Sequence, residues 1–158
     1  MKIAIDLGGT NMRVGLTDEA KVVDTVIEPC PAKETEEVVL SQLKRQIAQL
    51  MRPEVTGIGV GVPSVVDYKQ GIVYNVANIP AWKEVHLKDI LEKEFGVPVA
   101  VNNDANCFAL GAWRYGEGQG TSDMVGLTMG TGIGSGIIIG GKLYNGVNTG
   151  AGEIGSLP

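Results

Sequence analysis

The sequence predicts an α/β fold, a mixed sheet in βββαβα order flanked by helices, followed by the start of a second unit of similar design. Three observations carry this prediction. Three β-rich apolar runs stand together at the amino terminus, separated only by turn residues; apolar residues then alternate between helical and extended periodicity; and after residue 116 the opening pattern begins again. The expected division is a first domain at 1–116 and the incomplete beginning of a second at 117–158.

Lys2 to Leu7, Asn11 to Thr17 and Lys21 to Ile27 read as strands of an antiparallel meander, joined by Gly8-Gly9 and by Asp18-Glu19-Ala20. A helix follows from Thr35, a candidate N-cap with Glu36 and Glu37 in the first turn. Val39, Leu43, Ile47 and Leu50 form its apolar face, and Pro53 stops it. Val55 to Val62 is a short glycine-containing strand ended by Pro63. Leu87, Ile90, Leu91 and Phe95 mark a second helix, started by His86 and ended by Gly96. Val97 to Val101 reads as a buried strand, and after Asn102-Asn103-Asp104 the residues Ala105, Phe108, Ala109 and Ala112 outline a third helix to Tyr115. Met124 to Met129, the turn Gly130-Thr131-Gly132 and Ile133 to Ile139 then repeat the first hairpin, and Gly140-Gly141 closes another. The duplication leads us to expect the two hairpin loops facing each other across a cleft between domains.

Composition narrows the function classes. The 158 residues are 44% hydrophobic, 20% charged and 5% aromatic, the balance of a chain that buries a core. A net charge of −5 without clustered Lys and Arg argues against a nucleic-acid surface. No uncharged run is long enough to span a membrane, and the charge at Lys2 followed by Asp6 leaves no room for a secretory leader. The two cysteines, Cys30 and Cys107, form no Cys-x-x-Cys pair, so a reducing cytoplasm is the expected location. A single histidine gives a His-based metal site or a Ser-His-Asp triad little to build on. The 23 glycines, gathered without collagen-like period, suggest tight turns and close backbone approaches to a ligand.

Three places carry the chemistry. In Asp6-Leu7-Gly8-Gly9-Thr10-Asn11 a strand ends in a carboxylate and runs into two glycines and a hydroxyl. Backbone N–H groups there approach a phosphate closely while the carboxylate faces its metal ion, although Gly-Gly between apolar runs is also an ordinary hairpin signal. Gly130-Thr131-Gly132-Ile133-Gly134-Ser135-Gly136 does not fit Gly-x-Gly-x-x-Gly, and Gly136 to Lys142 falls short of a Walker loop because Leu143 stands where Ser or Thr is needed and Ile137-Ile138-Ile139 reads as a strand. A glycine-softened hairpin and a phosphate loop both remain open for it. Asp104 is the catalytic candidate, a carboxylate where a buried strand meets a helix, able to accept the proton of an alcohol attacking phosphorus. Asn103 or Asp104 could equally serve as a helix N-cap. Asn78 and Glu153 could supply hydrogen bonds to sugar hydroxyls, or act as a turn residue and a helix-start acid. Trp82 and Trp113 are expected to pack in the core or at element boundaries.

Taken together these segments, with Gly59-Val60-Gly61-Val62-Pro63, Asn78-Ile79-Pro80-Ala81-Trp82, Asn102-Asn103-Asp104-Ala105-Asn106 and Gly150-Ala151-Gly152-Glu153-Ile154-Gly155, resemble the ROK family of repressors and sugar kinases. The resemblance implies a ribonuclease H-like, actin-like ATPase fold and an ATP-dependent hexose kinase, glucokinase-like, acting on a hexose or amino sugar. It implies that Gly8, Gly9, Thr10 and Asn11 hold ATP phosphates from one side and Thr131 and Gly132 from the other, with Asp6 positioning Mg²⁺ through water. Asp104 is the implied general base, with Asn78, Asn103 and Glu153 binding other hydroxyls. A homo-oligomer, a dimer, is implied as well. Zinc is expected in the family, but Ser156 stands where the family usually has histidine, and the cysteine motif belongs to a later segment than this sequence reaches.

The alternative function is a sugar-sensing transcriptional regulator of the same family, whose helix-turn-helix would precede the first strand. The sequence reaches the small domain and the beginning of the large one. Surface that the remainder would cover is expected to promote self-association.

Overall fold

Alternation of apolar and polar residues gives the first strands one face to bury, and the structure, a computed structural model describing residues 1–130 and 132–156, shows them paired as that pattern requires. The elements in chain order are β1 (Lys2–Leu7), β2 (Asn11–Asp18), β3 (Lys21–Pro29), α1 (Glu36–Leu50), β4 (Ile58–Val62), β5 (Val65–Asp67), β6 (Ile72–Tyr74), β7 (Glu84–Val85), α2 (Leu87–Phe95), β8 (Val99–Asn103), α3 (Asp104–Tyr115), β9 (Met124–Met129), β10 (Ile133–Ile139) and β11 (Lys142–Tyr144), with a short 3₁₀ turn at Ile154–Ser156. Two compact units divide at Asn102/Asn103. In this division α3 groups with β9 and β10, on which it packs.

The first unit is built on a five-stranded sheet in the order β3-β2-β1-β4-β8. The chain meanders antiparallel through β1, β2 and β3, and β4 joins the other edge of β1 in parallel, with Ile3 opposite Ile58 and Ile5 opposite Val60. The mixed sheet is therefore the one expected. Ile3, Ile5 and Leu7 of β1 and Met12, Val14 and Leu16 of β2 share a single core with Val39, Leu43, Ile47 and Leu50 of α1. Leu87 and Leu91 of α2 join the same core, and Gly96 ends that helix in the left-handed conformation its φ of 66° requires. The opposite face of the sheet carries Ala4, Asp6, Arg13 and Gly59, all exposed.

A second sheet, β5-β6-β7, was not predicted. Its strands are three, three and two residues long, too short for periodicity to register. What builds it is local. Asp67 Oδ1 accepts from the backbone N–H of Lys69 and Gln70 at 2.9 and 3.0 Å, and Gly71 turns the chain at φ 68° with its backbone pressed against the Lys88 side chain.

The second unit repeats the opening arrangement as β11-β10-β9, again antiparallel. Here α3 lies close on one face, and the glycines explain how. A Cβ on Gly126 would stand 2.9 Å from Ala109 Cβ, on Gly134 2.8 Å from Ala105 Cβ, and on Gly136 2.6 Å from Ala109 Cβ. These glycines serve helix packing, and among the described residues of 130–136 only Gly130 and Gly132 have open space where a Cβ would be. No described helix is long and apolar enough to cross a membrane.

Candidate functional site

In the first unit the loop after β1 is held in shape by its own backbone. Gly8 N–H donates to Asn11 O at 3.0 Å, and Cys30 N–H donates to Thr10 O at 2.8 Å, fixing the loop to the end of β3. Burial raises the Cys30 thiol pKa above its ordinary value, consistent with a group that serves packing there. Gly9 is required because its backbone lies directly against the Asn78 side chain, where a Cβ would collide. The structure thus brings together two segments that the sequence separates by nearly seventy positions.

Asn78 is displayed by its neighbours. Ile79 and Trp82 are fully buried, Ile79 N–H donates to Val76 O at 3.0 Å and Trp82 N–H to Ile79 O at 2.9 Å, so consecutive turns leave Asn78 exposed beside Gly9. Trp82 packs in the core as expected.

Asp6 stands on the exposed face of β1, and the register puts Arg13 of β2 directly across from it. Arg13 Nη1 donates to Asp6 Oδ2 at 2.7 Å, with the two side chains 55% and 53% exposed. An ion pair this exposed adds little stability, at most about 1 kcal/mol. What the pair adds is a neighbour: the carboxylate lies beside a guanidinium suited to anionic oxygens. Sequence reasoning missed Arg13, and the signal was available, since a hairpin closing Leu7 on Met12 necessarily sets position 6 opposite position 13. Among the described residues no group of three or more His, Cys, Asp or Glu is placed to hold a metal ion. A single oriented carboxylate does fit Mg²⁺, which keeps much of its water and takes phosphate oxygens as ligands.

In the second unit the start of α3 separates two roles that the sequence left open. Asn103 is the N-cap: its Oδ1 accepts from Ala105 N–H at 2.9 Å and Asn106 N–H at 3.2 Å. Asp104 follows as the first helical residue, exposed, with Oδ1 accepting from Ala105 N–H at 2.8 Å. The helix N-terminus favours a negative charge at that position.

Glu153 is exposed between two close approaches. Gly152, at φ 87°, lies against the Ser135 carbonyl, and Gly155 against that of Ile133, so neither position has room for a side chain. The buried Ser135 hydroxyl donates to Gly152 O at 2.7 Å. The Gly152-Glu153-Ile154-Gly155 spacing is thereby a device for seating this segment on β10, with Ser135 as a positioning residue that sequence reasoning had not singled out. The loop between β9 and β10 is pinched by Gly130 N–H donating to Gly132 O at 2.9 Å. Thr131, expected to contact phosphate, lies outside the described residues.

Comparison with known proteins places this arrangement. The sequence pattern of the ROK family matches residues 2–158. The chain belongs to the ROK family. A glucokinase of Halalkalibacterium halodurans is 34% identical over 162 residues, covering 98% of this chain and 49% of that protein. A β-glucoside kinase of Listeria innocua is 38% identical over 157 residues, covering 98% and 52%. Among solved structures, a ROK family glucokinase from Streptomyces griseus in complex with glucose and AMPPNP superposes with a TM-score of 0.88 at 37% identity, over 99% of this chain and 50% of that one. The actin-like α/β fold expected of a ROK protein is the fold observed. This ROK chain spans about half the length of the curated relatives it matches.

Proposed function

We propose that this chain forms part of an ATP-dependent hexose kinase. The observation that carries the reading is its likeness, over 99% of its length, to a ROK glucokinase solved with glucose and AMPPNP. In the reaction the sugar hydroxyl oxygen bonds to the terminal phosphorus, the bridging P–O bond to the leaving ADP breaks, and the hydroxyl proton passes to Asp104. Asn103 supports that assignment by taking the capping role, while Asp104 occupies the exposed first position of α3. Asn78, the Asn103 amide and Glu153 bind the remaining sugar hydroxyls. The Gly8-Gly9-Thr10-Asn11 loop receives phosphate oxygens through its backbone N–H groups other than that of Gly8, which is held by Asn11 O, and Thr131 and Gly132 do so in the second unit. Asp6 would hold Mg²⁺ through water, and the ion when bound would neutralise phosphate charge.

The test is turnover by this chain fused in frame to the second half of the Halalkalibacterium halodurans glucokinase. ADP release is followed over a panel of hexoses and amino sugars. Hexose-dependent release that falls about 10²–10⁴-fold in Asp104→Ala is the expected result. A loss of less than about tenfold removes Asp104 as the base, and a folded fusion that turns over no sugar removes the kinase reading.

A further inference from the structure

Gly9 is a glycine for a reason that lies outside its own loop. Its φ is not in the left-handed region, so the turn itself accepts a residue with a side chain there. What excludes one is Asn78. A Cβ at Gly9 would stand 2.4 Å from Asn78 Cβ, 3.1 Å from its Cγ and 3.3 Å from its backbone O, and these are the three nearest atoms.

Asn78 has little freedom to withdraw from that contact. Val76, Ile79 and Trp82 around it are buried, and Val76 N–H donates to Trp82 O at 3.0 Å to close the turn that carries it. The Asn78 stem therefore meets Gly9 from a fixed backbone, while the residue as a whole stays exposed. The loop's own hydrogen bonds, Gly8 N–H to Asn11 O and Cys30 N–H to Thr10 O, fix the residues on either side of Gly9. At Gly9 itself the support comes from Asn78.

We propose that Asn78 is a positioning residue of the loop at residues 8–11: its Cβ holds the Gly9 peptide in the orientation that receives phosphate, and its amide is left for the sugar. The phosphate half of this statement rests on the kinase reading above; the support of the loop does not. Only the rotatable Cβ–Cγ bond separates the two contacts of this side chain. A hydroxyl bound at the amide and a phosphate bound at Gly9 are thereby located relative to each other, as transfer between them requires.

The experiment moves the Cβ from one side of the contact to the other. Gly9→Ala, Asn78→Gly and the double variant form a cycle with the parent, and Asn78→Ala is added as the variant that keeps the Cβ. Exchange of the Gly8 and Cys30 amides is followed in the chain alone, and KM for ATP and for glucose in the fusion to the second half of the Halalkalibacterium halodurans glucokinase. In the parent, Gly9→Ala should speed both exchanges and raise the ATP KM at least about fivefold, the scale on which residues in contact couple. In the Asn78→Gly background the same replacement meets nothing nearer than the backbone O at 3.3 Å and should change each quantity by less than about twofold. Added backbone freedom at position 78 is common to both members of that pair and cancels. Asn78→Ala should raise the glucose KM and leave the ATP KM within about twofold of the parent. Gly9→Ala acting equally in both backgrounds overturns the proposal, because the loop then does not rest on Asn78. Coupling in the exchange rates with none in the ATP KM overturns it as well, by confining the contact to structure. An ATP KM raised as far by Asn78→Ala as by Asn78→Gly overturns it by assigning the effect to the amide. A parent fusion without turnover removes the kinase reading and the phosphate half together, and the exchange cycle then decides the support of the loop by itself.

Discussion

Replacing Gly136 by alanine should destabilise the second unit, although the same replacement at Gly59 should stabilise the first. At Gly136 the new Cβ would stand 2.6 Å from Ala109 Cβ, 2.8 Å from Ala105 O and 3.0 Å from Asn106 Cα, where ordinary van der Waals contact begins at 3.4 Å. Two of those three atoms are helix backbone, so no side-chain rotation relieves the clash. The helix must retreat by about 0.8 Å, and overpacking of this kind costs about 1–3 kcal/mol. Gly59 has nothing within 4 Å of its Cβ position and no positive φ, so alanine there gains about 0.4–1 kcal/mol by restricting the unfolded chain. Thermal denaturation should register each change at about 2–4 °C per kcal/mol for a chain of this size. Hydrogen exchange of the α3 amides should locate the Gly136 effect. A Gly136→Ala chain within about 0.5 kcal/mol of the parent, with α3 amides unchanged, would refute the assignment of this glycine to helix packing.

Asn103→Ala removes the acceptor of two helix N–H groups and should cost about 1 kcal/mol, with faster exchange at Ala105 and Asn106; unchanged exchange there would show that Asn103 is not the cap. Asp67 lies below its ordinary pKa, chiefly because the Gln70 N–H donates to its carboxylate, with Lys69 N–H and the Gln70 side chain adding to the effect. The unfolded chain therefore binds this proton more readily, so the stabilisation is complete above the ordinary aspartate range and is lost as pH falls through the depressed folded value. Protection of the Lys69 and Gln70 amides should drop in that acid window, and an Asp67→Asn chain that shows the same step would exclude Asp67 as its source.

Strong periodicity made the main sheet and helices legible, and short local devices stayed hidden. The β1, β2, α1 and α3 segments announced themselves through apolar spacing and flanking cap residues, and each appears within a few residues of its expected bounds. The β5-β6-β7 sheet depends on a carboxylate folding back on two backbone N–H groups and on one left-handed glycine, which leave no periodic trace. At the candidate site the residue types were legible but their division of labour was not. Asn103 and Asp104 are equally plausible caps by composition, and only the hydrogen-bond geometry gives the role to Asn103. The Asp6–Arg13 pair was legible in another way, since it follows from the register of the β1–β2 hairpin and not from spacing along the chain.

Glycine enrichment, the anomaly of the composition, separates into two causes with different consequences. Gly130 and Gly132 sit where a Cβ would meet open space, so packing does not demand glycine there. Gly126, Gly134 and Gly136 admit α3 to close range, and the helix residues they touch, Ala105, Asn106, Phe108 and Ala109, lie in the first two turns of the helix that Asp104 begins. The position of the proposed base is consequently set from beneath by strand glycines, and from the helix end by the Asn103 cap. Displacing either support would move the carboxylate without altering its chemistry, and in the proposed kinase a misplacement of about 1 Å would cost on the order of 10²-fold in rate.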